Sequence, residues 1–495
     1  MIKATTAPRI YIIGAGFAGR AIAREINRKA VLGIVVAFLD DDQNKTGKRI
    51  DNIPVLGPIA DVVRLLAREP ADEAIIAIPS ASIERLKELY FLLKNAGFSK
   101  IRLLPGIAQI VEGDAHLVQA REIDPQDLLG RSPVSIGLKE SLSWLKNKRV
   151  MVTGAGGSIG SELARQLLSA GVERLYLFGH GENSIYQIDR ELRTLQAGGV
   201  GVKTAIVPVI GELKDKPYML DVMQRLKADV VFHAAAYKHV PMMEANTIAA
   251  VENNVFGTKN LIDASLKAQV KRFVLISTDK AVEARCVYGA TKQLSELMVM
   301  DAQTRAQKDS HYIVVRFGNV LGSRGSILPL FKEQIAAGGP VTVTDPEAKR
   351  FFMTIPEACS LVLKAGGTGS GGDSYILDMG EPVLIRELAE QVIRFMGHTP
   401  NKDIQIEYIG LRPGERLEEK LHATDEQLEE SGSARILRLK RPPMAINIKE
   451  AIGLLEPCCF PLDNQLALYR NRKALRVRLR SLIPSLEEKP LEPEY

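Results

Sequence analysis

A short apolar run, Phe273 to Ser277, leads into Thr278, Asp279 and Lys280, and eight residues beyond Lys280 begins Tyr288-Gly-Ala-Thr-Lys292. A Tyr and a Lys four apart on a helix share one face. The lysine charge lowers the phenol pKa, and the nicotinamide of an oxidised cofactor would push the same way. A phenolate made in this manner takes the proton of a sugar hydroxyl while hydride leaves its carbon, with Thr278 sharing the hydroxyl's hydrogen bond. Asp279 and Lys280 add what a plain dehydrogenase does not need. An acid and a base at one strand end can remove a proton α to a new ketone and protonate a departing hydroxyl, which is elimination of water. The competing reading of this pair is a capping Asp beside a solvated Lys.

Two glycine turns can place a cofactor beside such groups. Gly154-x-x-Gly157-x-x-Gly160 follows the strand-like RVMVT and opens a helical pattern. Glycine permits the tight turn and the approach of backbone N–H groups to a pyrophosphate, and the helix N-terminus adds partial positive charge. An acidic residue normally ends the next strand and holds the adenosine ribose. Here that strand ends Phe178, Gly179, His180, with Glu182 slightly later, so NAD and NADP both stay open, NAD being slightly favoured. Gly14-x-Gly16-x-x-Gly19 is nearer the dinucleotide pattern, and its second strand ends on Asp40, Asp41 and Asp42. Yet no acid, base or nucleophile constellation surrounds it. A regulatory or structural role is as consistent with it as cofactor binding.

The elements required to position these residues alternate as βαβ units. Strands are expected at 34–40, 73–79 and 100–106, then at 175–178, 205–210, 230–234, 273–277 and 312–316. The fold class is α/β: two Rossmann-like doubly wound domains, the second with a smaller C-terminal substrate-binding lobe from about Gln334. The boundaries read as 1–130, 131–440 and a C-terminal appendage 441–495, with a Pro-, Ser- and Lys-rich connector at 131–148.

The 495 residues are 46% hydrophobic and 25% charged, with a net charge of +6, a soluble globular profile with no signature of a nucleic-acid partner. Cys286, Cys359, Cys458 and Cys459 have no metal-ligand or disulfide spacing. No signal peptide is read, and no window reaches the roughly 18 apolar residues of a membrane span, so a cytoplasmic location is expected.

The stretches TGAGGSIGSEL, GENSIYQIDREL, VVFHAAAYKHVPMME, NNVFGTKN, VLISTDKAV, YGATK, RFGNVLGS, PLFKEQIAAGGPVTVTDPEAKRFFMTIPEA, LDMGEP and GLRPGER run in order over about Arg131 to Leu421. They resemble the UDP-N-acetylhexosamine 4,6-dehydratases, in the polysaccharide-biosynthesis (CapD-like) branch of the extended short-chain dehydrogenase/reductase superfamily. The first domain looks like the module that precedes the catalytic domain in longer members, where transmembrane helices stand before it. The resemblance implies that Tyr288 and Lys292 oxidise C4 of a UDP-sugar with bound NAD(P), that Lys280 removes the C5 proton, and that Asp279 protonates the C6 hydroxyl. Hydride then returns to C6. The cofactor contacts implied are Gly154, Gly157, Ser158, Ile159, Gly160, Glu182, Glu212, Ala234, Ala235 and Lys292. Those implied for the UDP-sugar are Lys238, Asn319, Arg350, Arg412 and Glu415. No metal is implied.

Three departures bear on this. Many long members carry Met where Tyr288 stands. The usual Asp-His-Ser and Gly-Asp near the cofactor are Gly179-His180-Gly181 and Gly211-Glu212. The common Asn-Pro after the Asp-Lys pair is Glu283-Ala284-Arg285. A UDP-sugar 4-epimerase, or a non-catalytic cofactor or nucleotide-sugar sensor, are the alternative functions. Finally, Leu466 to Ile483 carries six Arg or Lys residues among Leu and Val. It reads either as a basic amphipathic helix for peripheral membrane contact or, from the alternation at Leu475, Val477 and Leu479, as an edge strand. The tail also suits an oligomer contact, and a homo-oligomer is expected.

Overall fold

This computed structural model describes residues 7–29, 32–104, 121–122, 142–442 and 446–488. The expected boundary at Gly130 and most of the connector lie outside the described residues. The chain divides into two compact units, residues 1–140 and 141–495.

In the first unit the apolar runs Arg9–Ile13, Ile34–Leu39, Ile53–Leu56, Glu73–Ile76 and Lys100–Leu103 form the parallel part of a seven-stranded sheet. Numbered along the chain these five stand in the order 3-2-1-4-5, the first half of a doubly wound arrangement. Ser82 starts the helix Ile83–Asn95 by accepting from Arg85 N, as N-cap serines do.

The second unit is built on a nine-stranded sheet. In chain order its first strands are Arg149–Thr153, Arg174–Gly179, Ala205–Ile210, Val230–His233, Arg272–Ile276, His311–Arg316 and Ser374–Leu377. Their spatial order is 3-2-1-4-5-6-7, all parallel. Central strands such as VVFH and HYIVVR are buried along nearly their whole length, the pattern of strands covered by helices on both faces. Ala205–Ile210 contains Pro208 and stands at the edge, where a missing N–H is tolerated. Ile436–Lys440 and Gln427–Glu430 extend the far edge antiparallel.

The region after Gln334 is therefore not purely a lobe. It contributes the short strands at 374–377, 427–430 and 436–440 to the main sheet. Three small two-stranded pairings, among them Val341–Val343 with Ile406–Tyr408 and Lys349–Arg350 with Val383–Leu384, make the lobe itself.

The tail folds as helices Ile448–Cys459 and Arg472–Leu482. Their Leu455, Cys458, Cys459, Leu475 and Leu479 share one buried cluster with Phe273, Ala284, Ala290 and Leu294. The alternation that suits an edge strand is thus realised as a helix. Leu475 and Leu479, four apart, face the core, while Val477 between them is exposed. The apolar stripe lies against the protein's own interior. Among the described residues no helix is long and apolar enough to cross a membrane.

Candidate active site

The strand Arg272–Ile276 ends in a short turn, Asp279–Ala281, that is started by Thr278. Thr278 Oγ1 donates to Asp279 Oδ1 at 2.9 Å, and Lys280 Nζ donates to the same oxygen at 3.1 Å. Asp279 is buried, and among the described residues its Oδ2 has no partner. Lys280 Nζ also meets Asn319 Oδ1 at 3.4 Å and Glu419 Oε1 at 3.6 Å. Burial pushes the Lys280 pKa down, but Asp279 and Glu419 outweigh it and hold the ammonium above its ordinary range, with Arg350 opposing them. In this state Lys280 carries the proton and Asp279 accepts.

Tyr288 and Lys292 lie on the helix Val287–Arg305, capped by the Cys286 thiol, which accepts from Gly289 N. Both side chains are buried. Burial pushes the Tyr288 phenol up to about 12, against the Lys280 charge and a hydrogen bond from Thr278. Lys280 is thus a charge lowering the phenol that the four-residue spacing to Lys292 did not point to. Lys292 sits deeper, donating to Ile276 O at 2.7 Å, and burial pushes its pKa down to about 8, against the pull of Glu296. One turn of helix brings Lys292 to the strand rather than to the phenol.

Beneath this cluster is an ion network, with Glu296 and Arg316 buried at its centre, that the sequence reading missed. Glu296 accepts from Ser277 Oγ at 2.5 Å and from Arg316 Nη2 at 2.7 Å. Arg441 also pairs with Glu296, and Glu426 pairs with Arg316 and Arg441. Burial would raise the Glu296 pKa, but the two arginines overcome it and bring it to about 2. The network joins the catalytic helix to the end of the catalytic strand at Ser277, next to Thr278.

A cavity of about 290 Å³ lies over the second glycine turn, bordered by Gly154, Gly156, Gly157, Gly179, His180, Glu212, Ala234, Ala235, Tyr237 and Arg324. That is the lower end of small-ligand pockets, about 300–1,000 Å³. A Cβ on Gly154 would stand 2.8 Å from the Ala235 backbone, and one on Gly156 2.3 Å from Ser184 Oγ. This glycine cradle fits the phosphate-bearing part of a dinucleotide. Of the expected contacts, Gly154, Gly157, Glu212, Ala234 and Ala235 line it, whereas Ser158, Ile159, Gly160, Glu182 and Lys292 do not. Gly160 instead permits close packing, since a Cβ there would meet Gly154 O at 2.1 Å. No carboxylate ends the second strand, and Glu212 pairs with Lys214 at 3.6 Å.

Asn254 joins this cavity to the chemistry, and nothing in the local pattern singled it out. It lies in a one-turn π-helix, Glu252–Phe256, a feature frequent at functional sites. Its amide bonds Tyr237 N and O, both at 2.9 Å, and Thr291 Oγ1 at 3.0 Å on the catalytic helix.

The expected UDP-sugar residues are only partly gathered. Arg350 Nη2 pairs with Glu415 at 3.0 Å and its Nη1 donates to Leu417 O at 2.9 Å. Arg412 is exposed; its N donates to Glu415 Oε2 at 3.2 Å and its carbonyl accepts from Glu415 N at 2.9 Å. Asn319 sits in the Lys280 cluster, and Lys238 Nζ contacts Ser323 Oγ at 3.4 Å.

A doubly wound sheet, a glycine cradle on its first turn and a Thr-Tyr-Lys set beyond its fifth strand define an extended short-chain dehydrogenase/reductase. Within that class the chain belongs to the family described as "polysaccharide biosynthesis protein", whose model matches residues 150–441; a "CoA-binding domain" model matches residues 5–105. The chain is 43% identical over 412 residues to the capsular polysaccharide biosynthesis protein CapD of Staphylococcus aureus, covering 83% of this chain and 68% of that protein. It is 31% identical to a UDP-N-acetylglucosamine 4,6-dehydratase (inverting) of Campylobacter jejuni, over 56% of this chain and 78% of the relative. It is 30% identical to a UDP-glucose 4-epimerase of Rickettsia rickettsii, over 57% of this chain and 79% of the relative. Identity does not separate the last two activities.

Proposed function

We propose that the protein is a UDP-N-acetylhexosamine 4,6-dehydratase, with UDP-N-acetylglucosamine as substrate, acting in polysaccharide or glycan biosynthesis. The observation that carries this reading is the pair of buried Asp279 and half-buried Lys280 at 3.1 Å beside Tyr288. An epimerase needs a hydroxyl base but no second acid–base pair, so this pair favours elimination.

Tyr288, with Thr278, takes the C4 hydroxyl proton. NAD or NADP, when bound in the glycine cradle, supplies the acceptor and later donor of hydride. The C4 ketone acidifies the C5 proton. The reaction needs one proton moved from Lys280 Nζ to Asp279 Oδ1, turning the ion pair into a neutral amine and a carboxylic acid against the Asp279 and Glu419 charges that hold the ammonium. The amine then removes the C5 proton, and the acid protonates the C6 hydroxyl as it leaves as water. Arg350 would hold a diphosphate oxygen, because its fork matches phosphate geometry.

A test uses UDP-N-acetylglucosamine deuterated at C4, with the product examined by mass spectrometry and NMR. Deuterium at C6 of a 4-keto-6-deoxy sugar is expected. Deuterium retained at C4 of an inverted hexose would sink the reading in favour of an epimerase. Tight binding without turnover would favour a sensor, the role to which the missing carboxylate at the second-strand end points.

A further inference from the structure

The match to the family model ends at residue 441, yet the chain beyond it reaches the catalytic loop. Residues 281–287 join Lys280 to Tyr288, so their path determines how the acid–base pair stands relative to the hydroxyl base. We propose that segment 470–488 is a clamp on this loop, and that Glu244, whose charge Arg476 of that segment balances, is a positioning residue for Tyr288.

Glu244 is buried. Its Oε1 accepts from Val287 N at 2.7 Å, and its Oε2 accepts from Arg476 Nη1 at 2.8 Å. Val287 is the first residue of the catalytic helix. Its N–H is one of the donors a helix start leaves without an internal partner. A carboxylate there fixes where the helix begins, and Tyr288 is the next residue. The same segment grips the loop directly. Ser485 Oγ donates to Ala284 O at 3.0 Å, Glu487 N donates to Arg285 O at 3.1 Å, and Arg476 Nη2 donates to Glu487 O at 2.7 Å. Arg470 pairs at 3.0 Å with Glu252, in the π-helix that carries Asn254. From the opposite side, Arg416 Nη2 donates to the Val282 and Glu283 carbonyls, and Lys420 pairs with Glu283 at 3.1 Å. The segment that departs from the family pattern, Glu283-Ala284-Arg285, is thus held between the substrate lobe and the tail. A misplacement of about 1 Å in a reacting group costs up to about 10²-fold in rate.

This inference rests on the dehydratase reading, and the experiment keeps the two apart. Removing Arg476 alone strands a buried carboxylate and risks misfolding, so two double variants are compared. Glu244→Gln with Arg476→Met removes both charges but keeps an amide oxygen to accept from Val287 N. Glu244→Leu with Arg476→Met removes the acceptor too. The expected result is near-normal kcat for the first and a roughly ten- to hundredfold loss for the second, with KM and Tm alike in the two. Hydrogen–deuterium exchange over 281–290 should quicken only in the second. If kcat and exchange agree between the two variants, or if kcat merely follows Tm, the clamp is overturned. Should the unmodified protein turn over no UDP-sugar, the dehydratase reading fails, and the exchange comparison still decides the clamp.

Discussion

The two glycine turns have nearly the same backbone and different surroundings. Gly14 and Gly154 both have positive φ, +102° and +66°, and a Cβ on either would stand 2.8 Å from the neighbouring strand's end. Gly19 and Gly160 each let a helix pack within about 2 Å of where a Cβ would meet the first glycine's carbonyl, 1.9 and 2.1 Å. In the first unit the Asp40 carboxylate turns back onto its own glycine loop, accepting from Ala15 N at 2.7 Å, and pairs with Lys45 at 3.2 Å. In the second, Gly179-His180-Gly181 stands at the corresponding strand end and a cavity opens above the turn. The pattern nearer the dinucleotide consensus has its acid engaged, and the poorer one borders the chemistry. Such a turn encodes close βα packing; ligand use depends on what neighbouring strand ends deliver to it.

If the chemistry belongs wholly to the second turn, the largest effect comes from Tyr288→Phe, with an expected loss of about 10²–10⁴-fold in kcat and unchanged nucleotide binding. A loss under tenfold would move the base elsewhere. Next in size is Glu296→Gln, which leaves Arg316 and Arg441 short of a buried partner and costs about 3–5 kcal/mol in urea unfolding. Because the Glu296 pKa falls from 4.5 to about 2 on folding, its contribution is complete above pH 4.5 and disappears as pH drops toward 2. A Glu296→Gln variant whose stability keeps the same slope in that window would show that another carboxylate is responsible. A smaller effect is expected of Glu419→Gln. Lys280 is held protonated by Asp279 and Glu419, and the cycle uses the one proton the Asp279–Lys280 pair carries, so turnover falls once rising pH strips that proton, and losing Glu419 should move that limb to lower pH. A limb that stays in place would remove Lys280 as the titrating group. The smallest effect belongs to the first turn. Asp40→Asn should alter turnover by less than about twofold, within the range of changes outside special sites; a tenfold loss would break the contrast between the two turns.

Much of this was legible in order along the chain. The parallel strands fall within a few residues of the apolar runs, because a strand buried on both faces must read as a continuous apolar stretch. Thr278, Asp279, Lys280 and Tyr288 do meet, since a strand end and the first turn of the next helix are neighbours in any doubly wound sheet. The short strands after Gln334 were not legible, being only four or five residues long and set between Gly and Pro. Nor was Lys292, whose four-residue spacing to Tyr288 suggested a shared face but whose amine turns to Ile276 O.

By itself the sequence determined the two βα openings, the proposed acid–base pair and the proposed hydroxyl base, because each depends on residues within one strand end or two helical turns. Only the tertiary structure decided which glycine turn faces a cavity, that the Lys280 charge acts on Tyr288 and what holds the loop between them. Glu419, Arg441 and Arg476 reach the site from more than a hundred residues away. Their contacts exist only once the sheet is assembled, and no local spacing encodes them.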